Sequence, residues 1–188
     1  MNVYDFDRTI FRVDSSEAFC RYCLRLMPRQ FLSSPMTKLS AVLRYAAGGK
    51  GADATPMKEQ LFSFLSVVPD PEGLVLSFWD EKFSLMQPWY LAQSREDDLI
   101  ISASPEFLLR PAAERLGVSL IATPMDPYSG RILGINCHDE EKLRRFRAEY
   151  PDSDIDCFYS DSLSDAPLAS IAAHAILVKG DRLLPWPQ

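Results

Sequence analysis

Met1-Asn2-Val3-Tyr4-Asp5-Phe6-Asp7-Arg8-Thr9 decides how the chain is read. Its first residues are short, apolar and β-prone, so a strand begins almost at the first residue and carries Asp5 and Asp7 out at its C-terminal end. In open α/β sheets ligands bind in the crevice outside the strand C-termini, and two acids sharing such a crevice need a cation or a shared proton. By itself the tripeptide Asp-x-Asp reads as a solvated turn. The order of the segments downstream overturns that.

Outward from this stretch, Asp14-Ser15-Ser16-Glu17 predicts a helix start: oxygen-bearing side chains that cap free N–H groups, then an acid in the first turn. The spacing of Ala18, Phe19, Tyr22, Cys23, Leu26 and Met27 predicts one inward face, ending before Pro28. Further helices are predicted from Ser34-Pro35 to Gly48-Gly49, with Leu39, Val42, Leu43 and Ala46 inward, from Thr55-Pro56 with Leu61, Phe62 and Leu65, and from Asp70-Pro71 with Leu74, Phe78, Trp79 and Phe83. Residues 14–87 thus read as four helices without a strand. After Trp89 the pattern changes. Strands are predicted at 98–102, 118–122, 156–160 and 175–178, helices at 104–116, 139–150 and 164–173, and a hairpin returning through Arg131-Ile132-Leu133-Gly134. Alternating strands and helices give an α/β fold: a Rossmann-like parallel sheet sandwiched by helices, with an inserted four-helix cap. The expected division is a core of residues 1–13 and 88–188 and a cap of residues 14–87.

At 188 residues, 47% apolar and 24% charged, the chain has the composition of a soluble globular protein. With no apolar run of eighteen and no basic, apolar leader, a cytoplasmic protein is expected. Cys20, Cys23, Cys137 and Cys157 are too scattered for a disulfide framework, and the first two lie on a helix face as small apolar residues. Only His138 and His174 are present, which leaves little for a histidine zinc site. His174 opens an apolar run and reads as structural. A net charge of −6 disfavours nucleic acid as a partner. From Ala18 to Ala52, however, there are six bases (Arg21, Arg25, Arg29, Lys38, Arg44, Lys50) and no acid, so contact with an anionic membrane is a secondary expectation.

Four features bear chemistry. Asp5-Phe6-Asp7-Arg8-Thr9 follows the first strand, and Ser102 ends the second. Lys142 lies on an acidic helix turn, and Phe158-Tyr159-Ser160-Asp161-Ser162-Leu163-Ser164-Asp165 delivers two more acids after an apolar strand. Asp5, Asp161, Asp165 and the main-chain carbonyl of Asp7 would form an oxygen cage that suits magnesium. A capping role for Ser104 and Asp165, and a plain surface role for Lys142, are the blander readings. In this order the four features resemble the signatures of the haloacid dehalogenase (HAD) superfamily, and the helical block after the first signature resembles the cap of its phosphoserine phosphatase-like branch. The resemblance spans nearly the whole chain.

That resemblance implies a magnesium-dependent phosphatase acting on a small phosphorylated metabolite. Asp5 would be the nucleophile that becomes an aspartyl-phosphate, Asp7 the general acid and base, and Ser102 and Lys142 the groups that hold the phosphoryl oxygens. Asp5, Asp7, Asp161 and Asp165 would hold the metal. Phosphoserine itself is put in doubt, because Ala103-Ser104 stands where those phosphatases carry Gly-Gly, and Ser160 precedes Asp161 in place of glycine. The alternatives are a lipid-phosphate phosphatase of the phosphatidylglycerophosphate type at a membrane surface, and a non-catalytic phosphate-binding relative.

Overall fold

The computed structural model describes residues 1–33 and 54–187. Strand β1 (Val3–Tyr4) lies at the centre of a six-stranded sheet of order β3-β2-β1-β4-β5-β6, formed with β2 (Leu99–Pro105), β3 (Ser119–Thr123), β4 (Ile155–Ser160), β5 (Ala172–Lys179) and β6 (Arg182–Pro185). All pairings are parallel except β5 with β6. β1 is buried on both faces, and its two residues look opposite ways. Val3 joins Leu99, Ile101, Phe158, Phe146 and Leu168 on one side. Tyr4 joins Ile100 and Tyr159 on the other, stacked on the Tyr159 ring at 4.7 Å.

The helices are α1 (Ser15–Leu26), α2 (Pro28–Ser33), α3 (Ala54–Phe62), α4 (Pro71–Lys82), α5 (Pro88–Leu91), α6 (Glu106–Leu116), α7 (Glu140–Glu149) and α8 (Ala166–Ala169). Phe146 of α7 and Leu168 of α8 cover the Val3 face. On the other face Phe19 of α1, Phe62 of α3, Phe78 and Trp79 of α4 and Leu108 of α6 form one continuous core. Trp79 Nε1 donates to Leu108 O at 2.6 Å, so the helical block is bonded to the sheet-covering helix as well as packed on it.

The predicted starts of α1 and α4 are seen: Asp14 accepts from Glu17 N at 3.0 Å and Asp70 from Gly73 N at 2.9 Å. α6 ends at Gly117, whose φ of +69° is the left-handed value glycine adopts freely. The predicted hairpin is minimal, a single antiparallel bridge between Met125 and Ile132. The helix expected over 34–49, with Leu39, Val42, Leu43 and Ala46, lies outside the described residues, as do Lys38, Arg44 and Lys50 of the basic window.

Three details differ from expectation. Leu26 is exposed, because in the last turn of α1 it is Cys23 and Leu24 that face the core. The helix expected at 164–173 shrinks to a 3-10 turn (Leu163–Asp165) and α8, since Ala172 pairs in register with Ile155 and the chain is drawn into β5. β6 follows as an edge strand beyond the last one expected, with Pro185 at its end, where a missing N–H costs little. His174 is exposed on β5. Among the described residues no single helix is long and apolar enough to cross a membrane.

Candidate active site

A parallel sheet brings its strand ends to one edge, and here β1, β2 and β4 deliver Asp5, Ser102 and Asp161 into one pocket, with Asp7, Lys142 and Asp165 also in its wall. The six residues expected from sequence are therefore gathered. Thr9, fully buried, joins the first and fourth signatures: its hydroxyl donates to Asp5 Oδ2 at 3.4 Å and accepts from Asp161 N at 2.9 Å. Arg8, between the two, has φ of +57°, so the chain turns sharply after Asp7.

Lys142 is 3% exposed and reaches two carboxylates, Asp5 Oδ1 at 2.7 Å and Asp165 Oδ2 at 2.8 Å. Burial works against its charge, but Asp165 and Asp5 outweigh that and hold the ammonium above the ordinary lysine value. Asp165 Oδ2 also accepts from Ser160 Oγ at 2.7 Å, and so steadies the lysine from behind. The helix-capping reading of Asp165 is not met, because its side chain makes no cap bond to α8.

Burial pushes the Asp5 carboxyl up to about 7; Lys142 opposes this, while Asp165 and Asp161 add to it. Asp7 is raised to about 6, first by burial and then by the charge of Asp14, while bonds from Ser104 and Ser15 pull it down. Ser15 N donates to Asp7 Oδ1 at 2.7 Å, so the start of α1 grips the second signature acid. Ser102 is buried, and its hydroxyl accepts from Ser104 N at 3.1 Å.

Among the other pocket residues, Asp14, Lys58, Asn136 and His138 carried no functional reading in sequence. Lys58, on α3 and 4% exposed, donates to Ala103 O and to Asn136 Oδ1, both at 2.6 Å. Burial lowers it to about 8, opposed by Asp7 and Asp14. Its position three and four residues before Leu61 and Phe62 is the available signal, a lysine on an apolar stripe. Asn136 and His138 sit in an irregular loop. Arg145 Nη1 and Nη2 pin that loop to the sheet through Ala122 O at 2.8 Å and Ile135 O at 2.6 Å.

Comparison with known proteins places the chain in a family and matches its fold. The model of one family, haloacid dehalogenase-like hydrolase, matches residues 3–170. A protein of unknown function from Bordetella pertussis Tohama I has a similar structure, with TM-score 0.74 and 21% identity over 94% of this chain and 88% of that one. A phosphoserine phosphohydrolase-like protein from Francisella tularensis subsp. tularensis SCHU S4 gives 0.58 and 16% over 94% and 87%. A probable phosphoserine phosphatase from Vibrio cholerae gives 0.61 and 12%, covering 93% of this chain and 55% of its own. No curated protein sequence matches. At these identities the likeness to solved structures is one of fold.

Proposed function

Because the chain belongs to the haloacid dehalogenase-like hydrolases, we propose that it hydrolyses a phosphate monoester of a small metabolite through an aspartyl-phosphate on Asp5, with magnesium as cofactor. The observation that carries this reading is a buried carboxylate paired with a buried ammonium, Asp5 with Lys142 at 2.7 Å, at the strand ends beside Asp7. Even a paired buried carboxylate and ammonium are costly to desolvate, and so placed they fit a site built to receive a doubly charged phosphoryl group.

The donor set suits magnesium. Asp5 and Asp161 offer carboxylates and Asp7 a main-chain carbonyl, and a magnesium ion keeps several waters and needs only one or two carboxylates from the protein. Among the described residues no three His, Cys, Asp or Glu side chains stand together as a metal cage, so the expected grouping of the Asp5, Asp161 and Asp165 carboxylates is not preformed. Asp165, with Oδ2 committed to Lys142 and Ser160, has its other oxygen left for the ion or one of its waters. When bound, magnesium supplies positive charge to the phosphoryl oxygens and offsets the repulsion among the acids.

In the first half-reaction an Asp5 oxygen bonds to phosphorus as the bond to the leaving oxygen breaks, and Asp7 gives its proton to that oxygen. In the second, Asp7 takes a proton from water as the water oxygen attacks phosphorus and Asp5 is released. Lys142 and Ser102 hold the phosphoryl oxygens throughout. We assign residues 1–13 and 88–188 to the core that does this chemistry. Residues 14–87 are the cap, which adds Asp14 and Lys58 to the pocket wall.

The deciding experiment uses p-nitrophenyl phosphate with magnesium or with chelator. Asp5→Asn is expected to lose about a thousandfold or more of kcat, and chelation to abolish wild-type turnover. Equal rates in mutant and wild type end the assignment.

A further inference from the structure

Near the end of β2, where its pairing with β3 shifts register between Ile101 and Pro105, Ser102 and Ser104 are both buried and both line the pocket. Ser102 is accounted for as a phosphoryl ligand. Ser104 reads in sequence as a cap for the helix that follows, but α6 begins after Pro105 with no side-chain bond to its free N–H groups. The buried Ser104 hydroxyl turns instead to Asp7 and donates to Oδ2.

Two more hydroxyls close on it from the first turn of α1. Ser15 Oγ donates to Ser104 Oγ at 3.1 Å, and Ser16 Oγ lies 3.3 Å away. Both are fully buried. A hydroxyl has one proton and two lone pairs, so with its proton on Asp7, Ser104 is left as an acceptor for its neighbours. The opposite oxygen of Asp7 takes the Ser15 backbone N–H. One carboxyl group is thus held at both oxygens from two different elements, β2 through Ser104 and α1 through Ser15. The two bonds hold the carboxyl plane against rotation. A proton carried by that carboxyl then leaves from a lone pair within a fixed plane, and general acid catalysis depends on that orientation.

We propose that Ser104 is a positioning residue for proton transfer by Asp7, fixing the plane of its carboxyl toward the leaving oxygen of the substrate. The proposal rests on the phosphatase reading above. In the step concerned the bond from phosphorus to the leaving oxygen breaks, the bond from Asp5 to phosphorus forms, and the Asp7 proton ends on the departing alcohol. A leaving group that is stable as an anion has little need of that proton; an alkoxide cannot leave without it.

The test compares two substrates on the full-length enzyme with magnesium: p-nitrophenyl phosphate, with a stable leaving anion, and β-glycerophosphate, with a poor one. The quantity read is kcat/KM, which covers events up to the formation of the aspartyl-phosphate. Ser104→Ala is expected to lower it by roughly ten- to a hundredfold for β-glycerophosphate and by less than about threefold for p-nitrophenyl phosphate. Ser15→Ala, which keeps the backbone N–H on Asp7, is expected to move the ratio in the same direction by a smaller factor, and it carries the test if Ser104→Ala does not fold. Equal losses on both substrates, or no loss on either, overturn the proposal. A wild-type enzyme inactive on both overturns the phosphatase reading itself, and wild-type data alone reveal that.

Discussion

Lys58 Nζ lies 2.6 Å from the carbonyl oxygen of Ala103, so a helix of the block between β1 and β2 touches β2 one residue past Ser102. This ammonium is buried with two neutral acceptors and no carboxylate in contact, and folding lowers its pKa from 10.5 to about 8. An unfolded chain keeps the proton up to about 10.5, so between about 8 and 10.5 the unfolded state binds more protons and stability rises with pH. Wild type is therefore expected to gain up to about 3 kcal/mol relative to Lys58→Met across that window, read from urea midpoints at pH 7.5 and pH 10. Parallel curves for the two proteins would show that Lys58 is not buried as described.

Lys142 makes the opposite case, a buried cation with two carboxylates. Lys142→Met leaves Asp5 and Asp165 without their counter-ion, and breaking a buried pair by removing one partner costs about 3–5 kcal/mol. Asp5, already raised by burial to about 7 and now without the lysine that opposed the rise, binds its proton more readily folded than unfolded, so the variant is expected to recover stability as pH falls from 7 to 5. Urea unfolding at both values reads this. A variant within about 1 kcal/mol of wild type at pH 7 contradicts a buried pair.

The contrast between the two lysines also shows what the sequence makes legible. Asp5, Ser102, Lys142 and Asp161 stand at the ends of elements that local pattern predicts: an apolar run finishing in a polar residue, or a helix turn in a fixed order along the chain. Lys58, Asn136 and His138 come from a short helix and an irregular loop, and their place in the pocket is set by packing between distant segments. Lys58 bonds across 45 residues to Ala103 and across 78 to Asn136. Periodicity has no access to such pairings, although a lysine on the Leu61 and Phe62 stripe is a visible exception to the apolar rule. The same limit accounts for β5. Ile171-Ala172-Ala173 suits helix or strand, and its partner Ile155 decides. Ser104 was legible as polar and as preceding a helix, but its bond to Asp7 depends on where β1 lies beside β2.

Asp14 raises the Asp7 pKa after burial does, and together they bring it to about 6. If Asp7 must be protonated to release the leaving group, kcat/KM for β-glycerophosphate falls as pH rises through that value. Asp14→Asn keeps a side chain able to cap α1 and removes the charge, so the Asp7 pKa drops and the falling limb moves to lower pH. A shift of about half a unit to one unit is expected, measured from pH 4.5 to 8.5. A limb that stays in place, or moves upward, removes Asp14 from the electrostatics of the acid.

Gly130 tests whether contact between α3 and the loop that carries Asn136 matters to activity. Its φ is +71°, and a Cβ added there would collide with the backbone of Phe62 at the end of α3. The same face is tied by Ile132 N donating to Glu59 Oε1 at 2.9 Å and by Lys58 with Asn136. Gly117 has nearly the same φ, +69°, with nothing within 4 Å of an added Cβ, so it isolates the cost of conformation from the cost of the clash. Gly117→Ala is expected to lose about 1 kcal/mol, and Gly130→Ala about 2–4 kcal/mol, the excess coming from overpacking against backbone that has no rotamer to yield. Only Gly130→Ala should also lower kcat/KM on p-nitrophenyl phosphate, by several fold, because relief of the clash pulls Asn136 away from Lys58 and loosens its hold on Ala103. Equal stability losses at the two glycines would mean that the loop and α3 do not meet at Phe62. A stability loss at Gly130 with unchanged turnover would leave the contact in place and remove it from the catalytic geometry.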